Sequence, residues 1–105
     1  MLAPNIALSY GAAAILHAVA SGRRFGFDIM EATGLTSGTV YPALERLESR
    51  GLLKSKWEEE AAAHAEGRPA RRYFTLTAAG ATALQAALER YKALRPIPGF
   101  APERA

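Results

Sequence analysis

The feature that most constrains this chain is a change of hydrophobic period along it. Three stretches carry helical spacing, two carry strand alternation, and one more helix follows. The clearest helical stretch runs from Thr36 to Gly51. Its apolar residues Val40, Leu44 and Leu47 fall at i, i+4 and i+7 on one helix face, with Thr39, Tyr41, Arg46 and Arg50 opposite. Small hydroxyl residues open the stretch and Gly51 closes it. That pattern suits a helix pushed end-first into the major groove of DNA, and it also describes an ordinary capped amphipathic helix. Its neighbours decide between the two.

Ahead of it, Ser9 to about Ala20 sets Ile15, Leu16 and Val19 among alanines, and Gly22 ends the run before Arg23-Arg24. A short helix is expected from Phe27 to Ala32, with Phe27, Met30 and Ile29 turned inward and Gly34 as a left-handed stop. The last helix takes Thr77 as its N-cap and runs to about Leu94, where Pro96 halts it. Between the third and last helices, Leu52 to Glu58 and Arg71 to Thr77 alternate and carry Trp57, Tyr73 and Phe74, so both read as strands. The stretch Glu59 to Ala70 joins them as a long loop. Its Ala61 to Ala65 segment has the composition of a helical turn, and the loop as a whole is expected to be mobile. Pro96 to Pro102 cannot continue a helix and is expected to be extended or disordered.

Helix, helix, helix, strand, strand, helix is the order of a winged helix-turn-helix. The expected class is therefore mainly α with a small β-wing, plus a C-terminal dimerisation helix. Residues 1–76 would form the DNA-binding unit, 77–95 the dimerisation helix and 96–105 a flexible tail. A chain of 105 residues suits one such domain and leaves little room for an elaborate catalytic cleft. A net charge of +3 is compatible with a polyanionic partner without requiring one. The absence of cysteine excludes disulfides, thiolate metal sites and a cysteine nucleophile. Met1 to Asn5 lack the pattern of a signal peptide, and no apolar stretch is long enough to span a bilayer. The expectation is a cytoplasmic protein with no membrane partner.

In the third helix, the residues placed to reach base edges are Ser37, Thr39, Tyr41 and Pro42, with Arg46 one turn further for phosphate or guanine. Pro42 lacks the amide hydrogen that a helix interior uses, so either the regular helix starts near Thr39 or its first turn is irregular, and the former is expected. A start at Ser37 with an unbroken ladder through Pro42 would contradict this. In the wing, Arg68, Arg71 and Arg72 flank a turn at Gly67, and Arg68 and Arg71 are the better DNA contacts. The acidic run Glu58-Glu59-Glu60 and Glu66 should face away from DNA. Leu84, Leu88, Tyr91 and Leu94 form a stripe that exceeds what a small core absorbs, so a second copy is expected to cover it. Leu8 and Tyr10 would complete that interface. His17 reads as a packed or surface histidine, His64 as an exposed loop residue, and Asp28 and Glu31 as the charged face of the second helix. No catalytic or metal-binding grouping is visible and no cofactor is expected.

Four blocks together resemble the PadR family of bacterial transcriptional regulators, in its short form with a single C-terminal helix. They are Phe25-Gly26-Phe27-Asp28-Ile29, the run Gly38 to Leu47, Gly51-Leu52-Leu53, and the run Gly67 to Gly80. The likeness extends from about Leu8 to Tyr91. It implies a homodimeric winged-helix repressor of a palindromic operator. Ser37, Thr39, Tyr41 and Pro42 match its recognition-helix contacts, and Arg68 its wing tip. The chain departs from the family at Phe27, where the family usually has tyrosine, and in its longer, more apolar wing loop. Some short members bind flat aromatic drugs through a tryptophan on the last helix. Here that helix offers Tyr91, and Trp57 lies on the wing, so a small hydrophobic or aromatic effector is carried only by the resemblance. The competing reading is a winged-helix protein-interaction module that does not bind DNA.

Overall fold

The computed structural model describes residues 8–92. Ser9 starts the first helix by accepting the Ala12 amide hydrogen at 3.1 Å, and α1 spans Tyr10–Ala20. Its alanines let neighbouring elements approach on several sides. Ala13, Ile15, Leu16, His17, Ala18 and Val19 are all buried, and burial lowers the pKa of His17.

The second helix, α2, spans Gly26–Thr33 and ends at Gly34, whose φ of 76° lets its amide return to the Met30 carbonyl at 2.8 Å. The buried residues here are Gly26 and Ile29. Met30 is partly buried, and Phe27, expected inside, is 60% exposed. Gly26, Ile29, Met30 and Thr33 make the i, i+3, i+4, i+7 face that meets the core, and Phe27 lies outside that stripe.

The third helix corrects the expected start. It runs Ser37–Ser49 and contains Pro42, and the Thr36 carbonyl accepts the amides of Thr39 at 3.0 Å and Val40 at 2.9 Å. Proline's fixed φ is a helical φ, and what it removes is one bond to the Gly38 carbonyl. Both Gly38 and Pro42 are exposed, so water can replace that bond and the helix need not start later.

Strand β1 (Leu53–Trp57) pairs antiparallel with β2 (Arg72–Leu76), in the register Leu53↔Leu76, Ser55↔Phe74 and Trp57↔Arg72. Alternation puts Leu53, Ser55, Trp57, Arg72, Phe74 and Leu76 on one face. That face is apolar at its base and grows polar outward. On the other side of β2, the Phe74 amide donates to the Arg24 carbonyl at 2.8 Å, which brings the α1–α2 linker to the sheet. Between the strands, the loop expected to be mobile holds a short helix, α4 (Glu60–Ala65), with Ala63 buried and its carbonyl accepting the Arg68 amide.

Thr77 caps α5 (Ala78–Arg90) as expected. Its hydroxyl accepts the Gly80 amide at 2.9 Å and donates to the Gly51 carbonyl at 2.6 Å. The helix ends at Arg90 with Tyr91 as C-cap, short of the expected Leu94. Leu94 and the tail 96–105 lie outside the described residues. The core lies where α1, α2, α3 and the base of the sheet meet, with Ile15, Leu16, Ile29, Val40, Leu44 and Leu53 fully buried. Each such side chain contributes about 1.5–3 kcal/mol of burial, so this layer fixes how the exposed faces of α3 and the wing are presented.

Candidate nucleic-acid interface

Val40, Ala43, Leu44 and Leu47 bury one face of α3, which forces the rest of the helix outward. Ser37, Thr39, Tyr41, Pro42 and Arg46 are all exposed. Helical spacing divides them into two edges and a crest. Tyr41 lies along the edge toward the wing with Glu45 and Glu48. Thr39, Arg46 and Arg50 share the opposite edge, and Gly38, Pro42 and Ser49 run between. Thr36 makes no side-chain cap, so its hydroxyl, 3.5 Å from that of Thr39, leaves the Ser37 and Gly38 amides to other acceptors.

The wing arginines occupy three different settings. Arg68 is gripped by Glu58 in a two-pronged pair, at 2.6 and 2.9 Å, with Glu66 at 3.2 Å. The Arg68 guanidinium and the Arg71 amide, 3.1 Å from Glu58, hold the Glu58 carboxyl down at about 2. Arg68 is itself pushed above the usual arginine range by the same bond. Two of the acidic residues expected to face away from DNA, Glu58 and Glu66, bind a wing arginine. Arg71 lays its guanidinium over the Phe25 ring at 4.1 Å, and Phe25 in turn meets Tyr73 edge-on at 5.6 Å. Among the described residues no ion pair holds Arg71, Arg46 or Arg50.

Arg72, not singled out from sequence, reaches back to α3. Its Nη1 lies 2.7 Å from Glu45, its Nη2 binds Glu48, and its Nε donates to the Ser55 hydroxyl at 3.0 Å. Glu45, foremost, raises its pKa. The one available signal was strand alternation, which places Arg72 on the same face as Phe74 and Leu76. Between α3 and the wing lies a cleft of about 500 Å³. Three of the large exposed apolar side chains line it: Phe27, Tyr41 at 49% and Trp57 at 63% exposure. Gly26 forms its floor under the Tyr41 ring, so closely that a β-carbon there would overlap the phenol.

The residues assigned to a dimer interface are used within the chain as far as they are described. Leu84 is buried and Leu88 and Tyr91 are partly buried against the core, where α5 packs on α1. The Tyr91 hydroxyl donates to the Leu8 carbonyl at 2.7 Å, and its ring meets Tyr10 edge-on at 5.3 Å. Leu8 is buried in the same way, whereas Tyr10 is exposed. Among the described residues no group of His, Cys, Asp or Glu is placed to hold a metal ion, and no helix is long and apolar enough to cross a membrane.

Residues 15–86 match the model of the transcriptional regulator PadR-like family. Solved structures agree. A PadR family transcription regulator from hypervirulent Clostridium difficile superposes with a TM-score of 0.69 at 26% identity, over 80% of this chain and 88% of that one. A PadR-like transcription factor from Bacteroides fragilis gives 0.63 at 26% identity, over 79% and 81%. Bacillus subtilis PadR, in complex with operator DNA, shares the fold with a TM-score of 0.64 at 22% identity, over 89% of this chain and 54% of that one. No curated protein matches the chain.

Proposed function

The chain belongs to the PadR-like family of transcriptional regulators, and on that premise we propose that it binds double-stranded DNA as a homodimer at a palindromic operator and represses transcription there. One observation carries this reading. The outer face of α3 is turned away from the core with Ser37, Thr39, Tyr41, Pro42 and Arg46 exposed, beside a wing that bears arginines. The solved neighbour bound to operator DNA supports the same use of the fold. Residues to Leu76 form the DNA-binding unit in this reading, and 77–95 the dimerisation helix, with Leu94 and whatever face of α5 the core leaves open meeting the second copy. Action on chromosomal DNA puts the protein in the cytoplasm in this reading, and a signal or small ligand, of which a hydrophobic or aromatic effector is one candidate, releases it.

Arg46 and Arg71 contact phosphate directly, being held by no carboxylate. Arg68 contacts it by exchange, giving up Glu58 as the phosphate arrives. Fluorescence anisotropy across a salt series on a duplex selected by the protein from a randomised pool tests this. Each phosphate contact contributes about 0.9 to the slope of log affinity against log salt. Arg46→Ala should reduce the slope, whereas Glu58→Gln should tighten binding by freeing Arg68. Thr39→Ala and Tyr41→Ala should reduce discrimination between the selected duplex and a scrambled one. A wild-type protein that shows no salt-sensitive binding to any duplex refutes the proposal. The neutralised Arg68 and Arg72 would then favour the protein-interaction module.

A further inference from the structure

The charged groups between α3 and the wing form a strap rather than a free contact surface. We propose that Arg72 is a positioning residue that fixes the wing against the recognition helix, so that base-reading and backbone-reading elements meet DNA at one set spacing. The consequence for DNA rests on the reading above. The strap itself does not.

The geometry is specific. Arg72 is the outermost β2 residue on the face turned to α3, opposite Trp57 in the strand register. It spans two carboxylates three residues apart on α3, Glu45 and Glu48, which lie on the helix edge toward the wing. Its Nε holds Ser55 on the neighbouring strand, and Ser55 donates in turn to Glu48 at 2.8 Å, closing a ring across three elements. The guanidinium lies 5.0 Å from the centroid of the buried Phe74 ring, which anchors its stem to the core. All of its strong partners are spent within the chain. A planar, five-donor guanidinium can satisfy this many acceptors at once, and no other side chain has that reach. Beyond this point the hairpin leaves the core. Its outer part meets the recognition helix across an open cleft, so the strap supplies the polar tie at the place where apolar packing gives out.

The test uses the full-length chain, whose lack of cysteine allows clean spin labelling. Labels at Ser49→Cys on α3 and Ala62→Cys on α4 report the helix-to-wing distance by pulsed electron spin resonance, with labelled chains diluted in unlabelled ones. Arg72→Met, and separately Glu45→Gln with Glu48→Gln, should broaden or shift that distance without DNA. Both should weaken binding to the selected duplex by about tenfold, the loss of roughly one base-reading contact, with the salt slope unchanged. The triple variant should be no worse than either. Unchanged distances in both variants overturn the proposal. So does a slope reduced by about 0.9 per subunit in Arg72→Met alone, since Arg72 would then be a phosphate contact. Tighter binding by the double Gln variant also overturns it, because the carboxylates would then act only by repelling DNA. Should Arg72→Met fail to fold, the double Gln variant decides the matter. If the wild-type protein selects no duplex, the DNA-binding reading fails while the distance measurement still judges the strap.

Discussion

Replacing Gly80 by alanine should destabilise this protein, although the position is helical and alanine is the better helix former. Gly80 lies in the first turn of α5, and a β-carbon built there overlaps the Leu52 carbonyl and comes within 3.1 Å of a Leu76 methyl. The Leu52 oxygen is backbone and already accepts the Thr77 amide at 3.2 Å, so it cannot rotate away. The helix gain is about 1 kcal/mol at most, less in a first turn. Against it stand about 1–3 kcal/mol for forcing a methyl into packed structure, and about 1 kcal/mol for each hydrogen bond loosened as α5 moves off Leu52. The Thr77 cap and the Thr77–Leu52 bond are both at stake. The balance is a loss of about 2 kcal/mol, or about 8–16 °C in Tm for a domain of this size. Gly11 provides the control. It is also helical, but nothing lies within 4 Å of its would-be β-carbon, so the same exchange should raise stability by about 0.5–1 kcal/mol. Scanning calorimetry at one fixed protein concentration compares the two, because self-association would otherwise move Tm. If both variants gain stability alike, close packing of α5 on the β1 entry is not what requires glycine.

Gly26→Ala should leave Tm within a few degrees, since only the free end of the Tyr41 side chain must yield, yet weaken duplex binding several-fold by turning that ring out of the cleft, as anisotropy would show. Glu58 is held at about 2, below its ordinary 4.5, so its pair with Arg68 contributes fully above pH 4.5 and is lost as pH falls towards 2. Urea midpoints of wild type and Glu58→Gln should therefore differ at pH 6 and converge near pH 2; a constant gap would show that the pair adds no pH-linked stability. Tyr91→Phe removes a donor to the Leu8 carbonyl and should cost about 1 kcal/mol, read as a Tm about 4–8 °C lower. An unchanged Tm would mean that water replaces the bond freely.

The element order was legible because local signals agreed with the period of each segment. Gly34 and Thr77 mark their helix ends by chemistry that no distant residue needs to supply. Where two faces competed, the sequence left the choice open. Met30 has equal helical spacing to Phe27 and to Thr33, and only packing against α1 and α3 turns the Gly26, Ile29, Met30 face inward and leaves Phe27 outside. Pro42 misled for a related reason. Its cost depends on whether the orphaned Gly38 carbonyl meets water, and exposure is a tertiary fact. The site shows the same division. Exposure of Thr39, Tyr41 and Arg46 follows from the phase of Val40, Leu44 and Leu47. Apart from Glu66, the side-chain partners of Arg68 and Arg72 lie 10 to 27 residues away, and a list of arginines says nothing about which are already spent.

The bond from Tyr91 to Leu8 joins residues 83 positions apart. It makes the described fold nearly a closed ring of chain, with its entry and exit side by side at the α1–α5 seam. Few local contacts prepare such a closure, so it belongs among the last to form and the first to open on heating. It also means the backbone can be re-cut. A short linker across this seam, with new ends in the exposed Glu66-Gly67 turn of the wing, keeps every core element in its present place. Cutting there severs the wing's covalent tip, while the β1–β2 ladder and the Arg68–Glu58 pair still join its two sides.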